Sequence, residues 1–158
     1  MGSYVLLGAV VAALHSLALA LGLGAVFARG LRLRELSRSL GNGEALAKLF
    51  RADNVWGLAA LLWIATGLVR AFGGLEKSST FYLRNGFFFV KMGLFVAVLG
   101  LEIFPMTTFI KWRIARGRGK PMADAPFSVL VRLNDLEVAL IVLIPFVASL
   151  MSRGVWLY

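Results

Sequence analysis

The sequence predicts an all-α fold, an antiparallel four-helix transmembrane bundle, and three observations predict it. The 158-residue chain is 59% hydrophobic and has a mean hydropathy of +0.82, well above a soluble domain of this length. Its apolar residues gather into four predicted helices, each long enough to cross a hydrocarbon layer of about 30 Å at about 1.5 Å per helical residue, the fourth only with its polar first half. Its basic residues collect in two of the three connections between those helices. The four spans fall at about 4–28, 54–72, 86–110 and 126–152, so residues 1–158 read as a single membrane domain. There is no cysteine, which excludes a disulfide framework, Cys-ligated zinc and an iron–sulfur cluster. One histidine is too few for a bis-His site within one chain, and no metal site is expected. The net charge is +9, but the basic residues lie beside apolar spans. That pattern reads as contact with anionic lipids at the cytosolic face, and not as nucleic-acid binding, because no basic domain stands outside the spans.

Span one, Tyr4 to Ala28, contains no Asp, Glu, Lys or Arg. The flank before it has no Lys or Arg either, so a span is expected here and not a cleavable signal peptide. Small residues recur at every fourth position: Gly8, Ala12, Ser16, Ala20 and Gly24. Such a ridge lets another helix backbone approach closely. His15 lies beside it, near mid-span.

Residues 29–53 carry six basic and three acidic residues. Gly41-Asn42-Gly43 signals a break. Before it, Leu31, Leu33, Leu36 and Leu40 alternate with Arg and Ser, the pattern of an interfacial amphipathic segment. After it, Glu44 to Arg51 begins the second helix outside the hydrocarbon. Span two is uncharged from Val55 to Val69, and Arg70 is placed to snorkel to the interface. Trp63 sits mid-span as a packing residue. Gly73-Gly74 then stops the helix, and Ser78-Ser79-Thr80 can cap a short following turn.

Span three lies within the stretch Phe81 to Arg113 and holds Lys91 and Glu102 in its apolar core. A charge at membrane depth is costly, so such residues face other helices or a polar cavity. The two lie 11 residues apart, close to three helical turns, and share one face, with Arg84 nearly on the same line. Pro105 removes one backbone hydrogen bond and bends the helix, and a neighbour, or Thr107 or Thr108, is expected to serve the freed carbonyl. Gly117, Gly119 and Pro121 mark a turn before span four. That span opens with Pro126, a good first-turn residue. It carries Arg132, Asn134, Asp135 and Glu137 in its first half, is apolar from Val138 to Ser152, and is interrupted by Pro145. The polar half either lies at the interface or packs against a partner inside. Glu102 and Arg132, both on the cytosolic side, either pair with each other or are each solvated at the headgroups, with Asn134 and Asp135 in the same structural polar set.

The connections 29–53 and 111–125 carry six and five Lys or Arg, against two in 73–85. The positive-inside bias puts the first two in the cytosol and both termini outside. Tyr4, Tyr82, Trp156 and Tyr158 then fall at the outer edge, and Trp56 and Trp112 at the inner edge.

His15 is the sharpest candidate for chemistry. A neutral imidazole on an inward helix face is a normal haem ligand, and Met92 or Met106 could supply a second one. The structural alternative is a histidine hydrogen-bonded to a neighbouring helix. Lys91 and Glu102 could serve a proton or anion path, or simply pair structurally. No P-loop, HExxH or Gly-x-Ser-x-Gly motif occurs.

The segments LFRADNVWGLAALLWIATGLVRAFGG, FYLRNGFFFVKMGLF, LEIFPMTTFIKWR and LNDLEVALIVLIPFVASLMSRG resemble an uncharacterised bacterial family of four-helix inner-membrane proteins, a domain of unknown function. The likeness runs from about Leu14 to Gly154. That family commonly has His and Pro where this chain has Arg84 and Gly86. More distantly, His15, Lys91 and the run Arg132, Asn134, Asp135 resemble the HemJ-type protoporphyrinogen oxidase family, and the chain is also similar to copper-resistance membrane domains. The HemJ likeness implies a haem b or porphyrin site involving His15 and Lys91. The chain is thus expected to be a small membrane protein, an accessory or subunit within a larger complex or a homo-oligomer, and not an enzyme, with haem or porphyrin binding as the alternative.

Overall fold

The computed structural model describes residues 2–39, 42–75, 77–120 and 126–158, and the chain forms an all-α bundle. Its helices are α1 (Gly2–Arg38), α2 (Gly43–Phe72), α3 (Ser79–Leu83), α4 (Gly86–Gly117) and α5 (Phe127–Ser152). Among the described residues, α1, α2, α4 and α5 are long and apolar enough to cross a membrane. Leu40 of the expected interfacial segment, Gly41 of the first expected break and Pro121 of the last expected turn lie outside the described residues.

The packing has the polarity of a membrane protein. Leu58, Leu61, Val96 and Phe146 are 62–70% exposed on the outside of the bundle. Apolar side chains over all four long helices have nothing to gain from water and suit an acyl-chain surround. Inside, the middle of the bundle packs Ala18, Val26, Trp56, Trp63, Val98 and Ile141. One end is filled by Leu33, Leu36, Leu49, Phe109, Trp112 and Leu130. The other end holds Ala71, Tyr82, Phe88 and Met151, beside α3.

α1 packs along α2 and along α5, and α5 packs along α4. Between α1 and α2, His15 meets Thr66, Gly22 meets Trp56 and Ala59, and Arg29 meets Asp53. The numbers fall on one helix as they rise on the other. α2 and α4 meet through long side chains: Trp63 edge-on to Phe95 at 5.4 Å, and Arg113 donating to Asp53 at 2.9 Å. The ring of four is therefore tight on three sides, and side chains bridge the fourth.

Local signals explain the element ends. Asn42 caps α2, its side chain accepting from the Glu44 and Ala45 amides. Ser78 caps α3 through the Phe81 amide. Asn85 caps α4 through the Phe87 amide at 3.0 Å. Fully buried, it also donates to the Met151 and Val155 carbonyls. The C-terminal segment returns here: the Gly86 amide donates to Trp156 O at 3.1 Å, and the Tyr158 amide to Arg84 O at 3.0 Å. A Cβ on Gly86 would sit 2.3 Å from the Trp156 ring, so only glycine admits that indole.

Several expectations change. Residues 29–38 are not a separate interfacial segment but the continuation of α1, because Leu33 and Leu36 are buried against Leu49 and Leu130. Leu31, by contrast, is 47% exposed. α4 likewise runs past residue 110 to Gly117. Thr107 and Thr108 both donate to the Phe104 carbonyl, at 3.0 and 2.9 Å, and not to the Leu101 carbonyl that Pro105 frees. Trp56, Trp112 and Tyr82 are buried, so they pack inside the bundle.

Candidate functional site

Two polar constellations stand inside the bundle, one at each end of the central core.

The first is built on Arg29, one residue past the uncharged part of α1. Its side chain is 0% exposed. The next residue, Gly30, permits this: a Cβ there would lie 2.5 Å from Asn134 Nδ2, so α5 can approach only where α1 has no side chain. The guanidinium then spends its donors on three helices. Nε donates to Asn134 Oδ1 at 3.0 Å. Nη1 donates to both Glu102 oxygens at 2.8 and 2.9 Å and reaches Asp53 Oδ1 at 3.4 Å. Nη2 donates to Glu137 Oε2. Arg113 on α4 supports Asp53 from the other side and lies 4.4 Å from the Phe50 ring centroid. One planar fork thus joins α1, α2, α4 and α5, work that suits arginine and not lysine. Charges removed from solvent are tolerated only when paired and hydrogen-bonded. Glu137 Oε1 is buried and has no hydrogen-bond partner among the described residues.

This arrangement overturns the pairing of Glu102 with Arg132. Glu102 pairs with Arg29, while Arg132 is exposed. The reason is rotation along α5: Asn134 and Glu137, three apart, face inward, whereas Arg132 and Asp135 face outward. Asp135 instead binds Arg34 through both oxygens at 2.6 Å, in a half-exposed pair that contributes little. Arg29, Asp53 and Glu137 were not among the expected site residues. The signal available was positional: Arg29 and Asp53 flank the ends of two consecutive uncharged runs.

The second constellation surrounds His15. Its Nδ1 lies 2.9 Å from Thr66 Oγ1. The Thr66 hydroxyl also lies 2.7 Å from the Leu62 carbonyl, and with its proton there it is an acceptor for His15 Nδ1–H. The imidazole sits against Gly67, where a Cβ would come within 3.2 Å of Cε1, and 5.8 Å from the Trp63 ring. Trp63 is 4% exposed, and its Nε1 has no acceptor among the described residues.

His15, Trp63, Lys91 and Ile144 form the common wall of two cavities. One, of about 190 Å³, has the more polar wall of the two and reaches Arg70, Lys77, Tyr82 and Ser152. The other, of about 310 Å³, is apolar and reaches Leu68, Phe72, Phe88, Phe89, Met92 and Phe95. Lys77 donates to Ser152 O at 2.7 Å and lies over the Phe81 ring at 3.8 Å. His15, Arg70, Tyr82 and Lys91 all have further partners in the fold. The structure therefore brings His15, Lys91 and Met92 to one place. Met106 is 46% exposed and lies beyond Glu102 along α4, towards the other end. Lys91 and Glu102 share the inward side of α4 but serve different constellations.

The small-residue ridge is only partly a packing face within this chain. Gly8 meets Leu75, a Cβ falling 3.2 Å from its carbonyl oxygen, and Ala12 is half-buried. Ser16, Ala20 and Gly24 are exposed, and a Cβ on Gly24 would meet nothing within 4 Å. Close approach occurs instead through Ala18, Gly22, Ala25 and Gly30. At Gly22 a Cβ would lie 2.9 Å from the Trp56 ring.

Four apolar helices around buried ionic and polar clusters define a multi-pass α-helical membrane protein. The family described as Predicted membrane protein (DUF2214) matches residues 7–156, and the chain belongs to it. No curated protein and no solved structure matches the chain.

Proposed function

We propose that the protein is a non-catalytic accessory protein or subunit of a larger complex in a bacterial inner membrane. The observation that carries this reading is the face of α1 bearing Ser16, Ala20 and Gly24. Its own bundle leaves that face uncovered, with open space over Gly24. A helix face of small residues is the kind against which another transmembrane helix packs. The Arg29 constellation supports the same reading, because its charges are spent joining helices. Extraction in mild detergent is expected to yield a particle larger than one chain, either a homo-oligomer or a hetero-complex, and Ala20→Leu is expected to dissociate it. A lone monomer under those conditions overturns the reading. The charge bias of the connections favours both termini outside, with the basic ends of α1 and α4 on anionic lipid at the cytosolic face. A cysteine replacing Ser3 or Leu157 is then labelled from outside in intact cells, and labelling only after lysis reverses the orientation.

One observation favours haem or porphyrin binding as a second reading. His15 and Met92 line the same cavity, and a neighbouring hydroxyl, here Thr66, holds the imidazole by Nδ1, as partners of ligating histidines commonly do. Imidazole and thioether are suitable iron donors, and a bound haem would supply one-electron chemistry. A Soret band in the purified protein that His15→Ala abolishes supports this reading. Its absence after expression with added haem precursor removes it.

A further inference from the structure

We propose that the Arg29 constellation is a binding site for one exchangeable proton, held on the Glu137 carboxyl and shared with Glu102. The site is complete within one chain, so it stands apart from the subunit reading. Three observations carry it.

The first is a charge deficit. Asp53, Glu102 and Glu137 bring three carboxylates to the cluster, and Arg29 and Arg113 bring two guanidiniums. Every helix of the ring contributes: Arg29 on α1, Asp53 on α2, Glu102 and Arg113 on α4, and Glu137 with the neutral Asn134 on α5. The flanking pair of Arg34 and Asp135 adds one charge of each sign and leaves the difference unchanged. Fully ionised, the cluster is one positive charge short among the described residues. The side chain of Glu137 is 0% exposed, and an unbalanced charge so placed is costly.

The second is an oxygen without a donor. Arg29 serves Glu137 through Oε2, and Oε1 is buried with no hydrogen-bond partner among the described residues. An ionised carboxylate can only accept, whereas a protonated one also donates. A proton on Glu137 therefore turns the carboxyl into a donor, and Glu102 lies within hydrogen-bond reach of it. Nη1 and Nη2 of a single guanidinium hold these two acids, which keeps them side by side. Two carboxylates so close do not both ionise, and a shared proton resolves the conflict.

The third selects a proton over a metal ion and lets it exchange. Hard cations need several oxygens converging on an open centre, and here the guanidinium occupies that centre. Among the described residues no group of His, Cys, Asp and Glu is placed to hold a metal ion. Asp53 and Glu102 keep 17% and 15% of their side chains exposed. Both contact Nη1 of Arg29, so a proton leaving Glu137 passes to Glu102, which is itself partly open to the surface. The O–H bond on Glu137 breaks as one forms on Glu102, and the negative charge moves the opposite way.

Infrared spectroscopy of the full chain in dodecyl maltoside, a detergent without ester or acid carbonyls, reads the proton directly. At neutral pH a protonated carboxyl gives a C=O band above the amide I region, where ionised carboxylates give none. Such a band is expected in the wild-type chain, moving to lower frequency in D2O while the helices stay folded. Glu137→Gln is expected to abolish it and to leave the unfolding midpoint unchanged, because the amide accepts from Arg29 and donates to Glu102 as the protonated acid does. Glu102→Gln is expected to abolish it as well, since the charges then balance and Glu137 ionises against Arg29. Wild-type protein with no such band overturns the proposal, and this outcome needs no variant to fold. A band that persists in Glu102→Gln belongs to an acid protonated by burial alone and also overturns it, as does one that survives Glu137→Gln. A band that D2O leaves in place in folded protein shows a proton that does not exchange, with the same consequence. A large drop in the unfolding midpoint of Glu137→Gln assigns Glu137 as an ionised partner of Arg29 and likewise ends the proposal.

Discussion

Arg29 is the residue on which the largest effects should fall. It is the only cation that touches Glu102 and Glu137 among the ion pairs of the described residues. Arg29→Met strands those carboxylates in the bundle and is expected to destabilise it by about 3–5 kcal/mol, read from unfolding in mixed detergent micelles. Replacing Glu137 by Leu in the same chain should recover part of that loss, because a buried pair exchanged for apolar groups is often near neutral. A double variant no more stable than the single one would show that the fork's other bonds dominate. A Glu102→Arg, Arg132→Glu swap should restore nothing, since the two groups do not meet. Thr66 offers a smaller test. Thr66→Val keeps the shape but leaves His15 Nδ1–H without its acceptor, at an expected cost of about 1–3 kcal/mol.

At the scale of elements, which glycine of α1 matters depends on the helix's rotation. Gly22 faces the Trp56 ring at a distance that admits no Cβ, and Gly24, two residues on, faces open space. Gly22→Leu should therefore cost about 1–3 kcal/mol by overpacking. Gly24→Leu should stay within about 0.5 kcal/mol in the monomer, and any larger effect would report assembly. Where α3 passes into α4, Gly86→Ala collides with Trp156 and is expected to release residues 154–158, seen as faster proteolysis from that end with the four long helices intact. α1 also shows why the helix end was misplaced. The charges after Ala28 read as a connection because charge normally marks the end of a span. Here Leu33 and Leu36 have buried partners on α2 and α5, and tertiary contact extends the helix by ten residues, to Arg38.

Across the whole molecule, the two polar constellations divide the work. The Arg29 end is fully cross-linked by charge, tying all four long helices together. The His15 end holds both cavities and the opening between α2 and α4. Local stability should differ accordingly. Amide exchange is expected to be slowest around Arg29 and Glu137 and faster near Phe89 and Leu68, and the reverse order would contradict this division.

The sequence by itself determined that the chain is all-α, that it has four helices of spanning length, and that Lys91 and Glu102 point inward. Each of these follows from chain-local physics: bilayer thickness sets span length, and the cost of exposing charge to lipid sets its direction. Only the tertiary structure decided which partners those charges take. Pairing depends on how each helix is rotated about its axis and which neighbour it meets. A difference of two or three residues on α5 turns Asn134 and Glu137 into the bundle and Arg132 out of it, and hydropathy cannot register so small a rotation.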